Sequence, residues 1–227
     1  METGIEITAL HNCALVLSAG DGSIMIDALS HGTEVFEGIS KEDFGRAMEG
    51  EAPFLNVKAA LYTHIHPDHF DRGLNERYAQ KFGIPMFIPD RDLGSGGRFD
   101  IGGFEVKYHK IRHSGAEYAD VLHYVFLISA CGKTVYIGGD ADFNSKEHFA
   151  FLNGIKPDAA FLNALYLSAQ QPIIEKIGAR MTYIYHIPAK PDAAGIRRLA
   201  QESYKNHEEL WDKCTLIGAH PIKIKEN

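Results

Sequence analysis

The sequence predicts an α/β or α+β fold, and three observations carry that prediction. Short β-rich runs of strand length recur along the chain, among them 57–62, Lys133–Ile137 and Met181–Tyr185. Segments that read as helices lie between them, at 71–82, 145–153 and 192–206. Apolar residues make up 45% of the 227, enough for a sizeable core. No run approaches the ~18 apolar residues of a membrane span. Periodicity by itself does not choose between α/β and α+β.

The length suits a single domain over 1–227, or two closely packed halves. The formal net charge of −7 argues against a broad nucleic-acid surface and leaves a small molecule as the expected partner, with no membrane. Cys13, Cys131 and Cys214 are odd in number and far apart, which predicts reduced, mostly buried thiols. The first six residues are acidic and lack the positive start and apolar run of a secretory signal. Together these favour a cytoplasmic protein.

In chain order, 13–19 and 23–27 read as strands joined by Gly20-Asp21-Gly22, a hairpin signal. The second strand ends in Asp27, a turn residue on its own evidence. His11 precedes the first strand and reads as an exposed loop histidine, with a place at a site border as the alternative. Residues 30–51 are polar, with a short helix after Ser40 as N-cap, and form a candidate lid or site wall. After the 57–62 strand and the 71–82 helix, 85–88 is a short strand. Residues 93–97 are Gly-rich but lack the context of a phosphate loop and read as a plain turn. Residues 104–111 and 121–129 are strands. Further on, 159–162 is a strand, 168–178 a helix and 215–217 an edge strand. His31, His148, His207 and His220 have no motif around them and read as exposed.

The chemistry centres on Thr63-His64-Ile65-His66-Pro67-Asp68-His69, between a strand and a helix. In α/β sheets ligands bind at the carboxyl ends of strands. In an extended segment residues i and i+2 point the same way, so His64 and His66 can close on one metal ion. Pro67 then restricts the backbone on either side, and Asp68 and His69 can face a neighbouring position. Three imidazoles and a carboxylate suit zinc or a similar borderline metal, whereas magnesium or calcium call for mainly oxygen ligands. A polar turn with chance histidines would leave the desolvation of these groups without a reason. Three more segments end in a suitable group. His113 follows a strand and precedes a Gly-containing loop, with His109 and His123 as competitors. Asp140 follows Gly138-Gly139, whose glycines let the backbone approach something closely, with Asp142 as its rival. His186 closes the strand Met181–Tyr185.

The string Thr-His-Ile-His-Pro-Asp-His resembles the T-H-x-H-x-D-H motif of the metallo-β-lactamase superfamily of binuclear metal hydrolases. That resemblance implies a four-layer αββα sandwich, formally α+β, with two metals at one rim of the two facing sheets. It implies that His64, His66 and His113 hold the first metal and that Asp68, His69 and His186 hold the second. Asp140 would bridge them, and Asp27 would support the histidine loop from behind. Two divalent transition-metal ions are expected, zinc foremost, with manganese or iron as alternatives. The activity implied is hydrolysis of a small ester, lactone or phosphodiester, with Asp68 handling the proton. Lactonase-like cytoplasmic members look most similar, with a phosphorylated sugar lactone or a small phosphodiester as guesses at the substrate. A di-iron oxidoreductase on the same fold is the alternative, although such members usually carry a carboxylate where His66 stands. A non-catalytic scaffold is a third reading, opposed by the intact ligand set.

Overall fold

The computed structural model describes residues 4–168, 173–217 and 222–226. The chain builds one sheet after the other. Strands β1 (Ile5–Ala9), β2 (Leu15–Ala19) and β3 (Gly22–Ile26) form an antiparallel meander. Helix α1 (Lys41–Glu49) then carries the chain to β4 (Val57–Leu61), and α2 (Arg72–Phe82) carries it to β5 (Met86–Phe87), each strand parallel to the last. The second sheet opens with an antiparallel run of β6 (Gly96–Ile101), β7 (Phe104–Lys110), β8 (Tyr124–Ala130) and β9 (Lys133–Ile137). It continues in parallel through α3 (Glu147–Leu152), β10 (Ala159–Asn163), α4 (Ile173–Ile177), β11 (Met181–Tyr185), α5 (Ala194–Lys205) and β12 (Cys214–Leu216). Strand β13 (Ile222–Glu226) returns to pair with β1.

The strand period of two sorts the core into layers. Inward residues such as Leu15, Leu17, Ile24 and Ile26 of the first sheet meet Val106, Phe126, Ile128 and Phe161 of the second in one buried cluster. The outward residues Val16, Met25 and Ala60 pack under Ala47 of α1 and Tyr78 of α2. On the other side Val125, Leu127 and Ile184 pack under Leu152, Ile174 and Ala200 of α3, α4 and α5. The order of layers is therefore αββα, the expected α+β sandwich. Local chemistry delimits the helices facing the first sheet. Ser40 and Asp71 accept hydrogen bonds from the N–H groups of Asp43 and Leu74, and Gly50 and Gly83 end α1 and α2 in the left-handed conformation.

Several expectations are corrected. Gly96 and Gly97 belong to β6 rather than to a plain turn; a Cβ on Gly97 would lie 2.6 Å from the Tyr108 hydroxyl of the paired strand, so the glycine makes room for that ring. Strands β1 and β13 are not among the expected strands, although Ile5-Glu6-Ile7-Thr8 and Ile222-Lys223-Ile224-Lys225 alternate apolar and polar residues as a half-buried strand does, and they pair with each other. The helix expected over 168–178 is reduced to α4, preceded by a 3-10 turn at Ala164–Ser168, and 169–172 lie outside the described residues. Cys13 and Cys214 are buried, but Cys131 is exposed at the β8–β9 hairpin. No helix among the described residues is long and apolar enough to cross a membrane.

Strands β1, β3, β4, β7, β9, β10 and β11 all run in the same sense within their sheets, so within each sheet their carboxyl ends gather along one rim. Asp27, the 63–69 loop, His113, Asp140, Asn163 and His186 all follow or end one of these strands.

Candidate metal centre

The rim brings together His64, His66, Asp68, His69, His113, Asp140 and His186. His64, His66 and His113 place one nitrogen each within 4.8 Å of one another, as do His64 and His69 with an Asp140 oxygen. Asp140 Oδ2 is the shared point. It lies 4.0 Å from His64 Nε2, 3.6 Å from His69 Nε2, 3.6 Å from His113 Nε2 and 3.5 Å from His186 Nε2. Asp68 Oδ2 is 3.1 Å from His186 Nε2 and 3.7 Å from His69 Nε2. Asp142, the rival of Asp140, turns away and pairs with Arg112 at 2.5 Å.

Hydrogen bonds set which nitrogens are free to ligate. His113 Nδ1 donates to the Ser114 carbonyl at 2.6 Å, so its Nε2 carries a lone pair, and that atom is buried without a partner. Asp27, fully buried, accepts from the Thr63 N–H and hydroxyl at 2.8 Å each and from His69 Nδ1 at 3.0 Å. The His69 proton is thereby held at Nδ1, and its Nε2 lone pair faces His186 Nε2 at 3.1 Å. The Thr63 hydroxyl donates to Asp27 and can accept from His64 Nδ1 at 3.1 Å, which leaves His64 Nε2 facing His66 Nδ1 at 3.0 Å. Two lone pairs so close repel unless a proton or a metal ion lies between them. The donor set of imidazole nitrogens and carboxylate oxygens fits divalent transition-metal ions, with His64, His66 and His113 gathered on one side and Asp68, His69 and His186 on the other.

The electrostatics agree. Burial, reinforced by the neighbouring His69, keeps His64 neutral well below the usual histidine range, and burial with His113 lowers His66. Burial opposes ionisation of both carboxylates, but the histidines outweigh it: the hydrogen bond from His186 brings Asp68 down to about 2, and His186 and His69 hold Asp140 well below its ordinary range. Burial also opposes charge on His69, yet the sulfur of Cys13 and the carboxylates of Asp140 and Asp27 raise its proton affinity. Neutral His64 and His66 beside ionised carboxylates are in the protonation states that metal ligation requires, whereas His69 would give up the proton at Nε2 when an ion binds.

Behind the cluster stand residues that sequence reasoning passed over. His123, considered only as a competing ligand, is buried and accepts the Asp140 N–H at Nε2 (2.9 Å) while Nδ1 faces the Ile111 carbonyl (3.1 Å). Burial lowers its pKa to about 3, as an acceptor nitrogen requires. Gly139, with φ of +54°, passes so close that a Cβ would lie 2.6 Å from His123 Nε2. Asn163 donates to Asp140 Oδ1 at 3.2 Å. Asn12 donates to Asp68 Oδ2 and to its carbonyl at 3.3 Å each, and its own carbonyl accepts from the His186 N–H. The signal for Asn163 was available: a polar residue ends an apolar parallel strand on the functional rim.

Other histidines are corrected or placed. His11 is buried against Ser30 Oγ at 3.2 Å, not exposed. His148 is fully buried, with Tyr136 OH at 2.6 Å and the Asp142 carbonyl at 3.0 Å. His109 stacks on Phe151, away from the cluster. His31 is exposed and His207 half-buried, while His220 lies outside the described residues.

The cluster opens into a cavity of about 650 Å³. Thr33, Val35 and Phe36 form part of its wall, so the 30–51 segment does supply a site wall. Phe36 meets His186 edge-on at 4.1 Å, and Tyr118 packs against His66 and His113 at 5.0 and 4.7 Å.

Comparison with known proteins agrees with the fold. A family model described as metallo-β-lactamase superfamily matches residues 8–110. The fold is similar to the metallo-β-lactamase fold protein YhfI from Bacillus subtilis, at 13% identity and a TM-score of 0.65 over 97% of this chain and 99% of that one. It is similar to an isothiocyanate hydrolase from Delia radicum gut bacteria, at 19% identity and 0.64 over 96% and 98%. It is also similar to the diiron β-hydroxylase CmlA from Streptomyces venezuelae, at 10% identity and 0.66 over 98% of this chain and 54% of that one. No curated protein sequence matches.

Proposed function

The chain belongs to the metallo-β-lactamase superfamily, and from that premise we propose that its rim holds two divalent transition-metal ions, zinc by its donor set, and hydrolyses a small ester, lactone or other electrophile at carbon or phosphorus. The observation that carries this reading is Asp140 Oδ2, within 4.0 Å of imidazole nitrogens from both triads. One carboxylate oxygen so placed suits a bridge between two ions and offsets part of their repulsion.

When bound, such ions supply Lewis acidity, lowering the pKa of water toward neutrality and polarising the electrophile. The chain's own residues do the rest. His64, His66 and His113 would act as donors to one ion, and the Asp27 hydrogen bond turns His69 Nε2 toward His186 and Asp68. Asp68 lines the cavity beside His186 and Asn12, where it can accept a proton from the attacking water and pass it to the leaving group. Asn163 and His123 fix the Asp140 carboxylate and backbone, so Asp140 would be held in place for the ions before they bind.

A cytoplasmic location belongs to the same reading and is supported by three cysteines that are all free thiols. Elemental analysis tests the core of it: two ions per chain are expected, with ester or lactone hydrolysis lost on chelation and regained on adding zinc. Absence of bound metal after supplementation at neutral pH would remove the proposal. Iron with visible absorption would favour the oxidoreductase alternative, which the similarity in fold to a diiron β-hydroxylase keeps in view.

A further inference from the structure

The wall of the cavity, beyond the cluster itself, is asymmetric in its chemistry. Its larger apolar side chains are Val35, Phe36, Tyr118, Phe143, Leu165 and Ile196. Its charged side chains other than histidine are acids alone: Asp68 and Asp140 in the cluster, and Glu117 outside it. Among the described residues, no lysine or arginine lines it. Leu165 and Ile196 remain 48% and 47% exposed at this one opening, and Tyr118 40%. Scattered exposed apolar residues need no explanation, but three around one polar cluster mark a surface that a ligand covers.

We infer that the substrate is an uncharged carbonyl or related carbon electrophile with an apolar chain, and that Phe36 and Tyr118 are its specificity-determining residues. The inference rests on the hydrolase reading and narrows it. Phe36 stands against His186 and Tyr118 against His66 and His113, so the two rings flank the cluster from opposite triads. A chain leaving the reacting carbon passes between them toward Val35, Leu165 and Ile196. A carboxylate or phosphate on that chain, away from the metal cluster, would lose its hydration and meet Glu117, while the ammonium of Lys190 is engaged by the Thr33 carbonyl and does not line the cavity. A volume of about 650 Å³ accommodates a ligand of several carbons beyond the reacting group. Phosphorylated lactones and phosphodiesters are thus disfavoured relative to neutral acyl compounds.

Two measurements on the full chain test this. The metal-free protein is titrated by nuclear magnetic resonance with butanamide, hexanamide and octanamide. Affinity should rise about 2- to 4-fold per methylene, with shifts at Phe36, Tyr118, Leu165 and Ile196. Phe36→Ala and Tyr118→Ala should flatten the rise. The zinc-loaded protein is then assayed with p-nitrophenyl acetate, butyrate and hexanoate, with the adipate half-ester and with bis(p-nitrophenyl) phosphate. The expected order in kcat/KM is hexanoate over butyrate over acetate. The adipate half-ester should fall at least about 10-fold below hexanoate, and Leu165→Lys, at an exposed position, should narrow that gap. Amide affinity independent of chain length, or unaffected by both aromatic variants, overturns the inference. So does a preference for the half-ester or the phosphodiester. Amide binding that follows the series while no ester is hydrolysed leaves the pocket inference standing and removes the hydrolase reading instead.

Discussion

Asp27→Asn isolates what the buried carboxylate does for the cluster. The residue has φ of +49°, in the left-handed region that asparagine tolerates, so the substitution keeps the backbone. Asparagine Oδ1 retains the Thr63 N–H now held at 2.8 Å. The amide NH2 then takes the place of Oδ2, which accepts from the Thr63 hydroxyl and from His69 Nδ1. A donor would now face the nitrogen that must itself carry a proton if Nε2 is to ligate. Relieving that clash moves the His69 proton to Nε2, the side of the second triad. A hydrogen bond to a charged group contributes about 1.5–3 kcal/mol. Lost second-shell support typically weakens metal affinity about 10- to 100-fold, and the two magnitudes agree. The expected result is a weaker ion lost from Asp68, His69 and His186, with the ion at His64, His66 and His113 weakened less, since of these only His64 is linked to Asp27, and only through the Thr63 hydroxyl. Competition titration with a chromophoric chelator resolves two affinities. Equal weakening of both ions, or none, would refute the reasoning.

Three further outcomes follow. Asp140→Ala should lose the weaker ion on dialysis while Asp142→Ala, whose carboxylate pairs with Arg112 outside the cluster, keeps both; the reverse pattern in a metal titration would move the bridge to Asp142. Gly139→Ala adds a Cβ 2.6 Å from His123 Nε2 at a left-handed position that alone costs about 1–2 kcal/mol, so urea denaturation should show at least that loss. His148 should make the ion-free protein acid-sensitive. Burial lowers its pKa from 6.5 to about 4, so above pH 6.5 both states are neutral and its contribution is fully present. As pH falls from 6.5 toward 4 the unfolded chain takes up a proton that the folded chain refuses, and about 3 kcal/mol is lost. His148→Gln should lower the slope of stability against pH by about 1.4 kcal/mol per pH unit within that window, while His11, His64 and His123, whose pKa values burial also lowers, keep the remainder; denaturant midpoints follow it, and an unchanged slope would contradict the assignment.

The cluster was legible in the sequence because it sits where strands end. A polar residue closing an apolar run, repeated at Asp27, His64, Asp140 and His186, is a local pattern. What escaped was non-local. His123 is a ring acceptor because the Asp140 N–H arrives from another strand, and Asn12 matters because the β1–β2 turn reaches the 63–69 loop. His11 and His148 were misread as exposed since neither has a motif, yet each found a polar partner inside. Gly96-Gly97 read as a turn because the ring of Tyr108, which the glycines accommodate, is brought there only by strand pairing.

The division of labour between the two sheets has a consequence for assembly. His64, His66, Asp68 and His69 belong to the first sheet's segment, whereas His113, Asp140 and His186 belong to the second's. Each triad therefore draws two members from one half of the chain and one from the other. Neither half on its own offers a complete coordination shell. An ion that settles here stitches the halves together, and its binding free energy adds to their cohesion. Metal capture would then mark the moment in folding when the two sheets have found their mutual register.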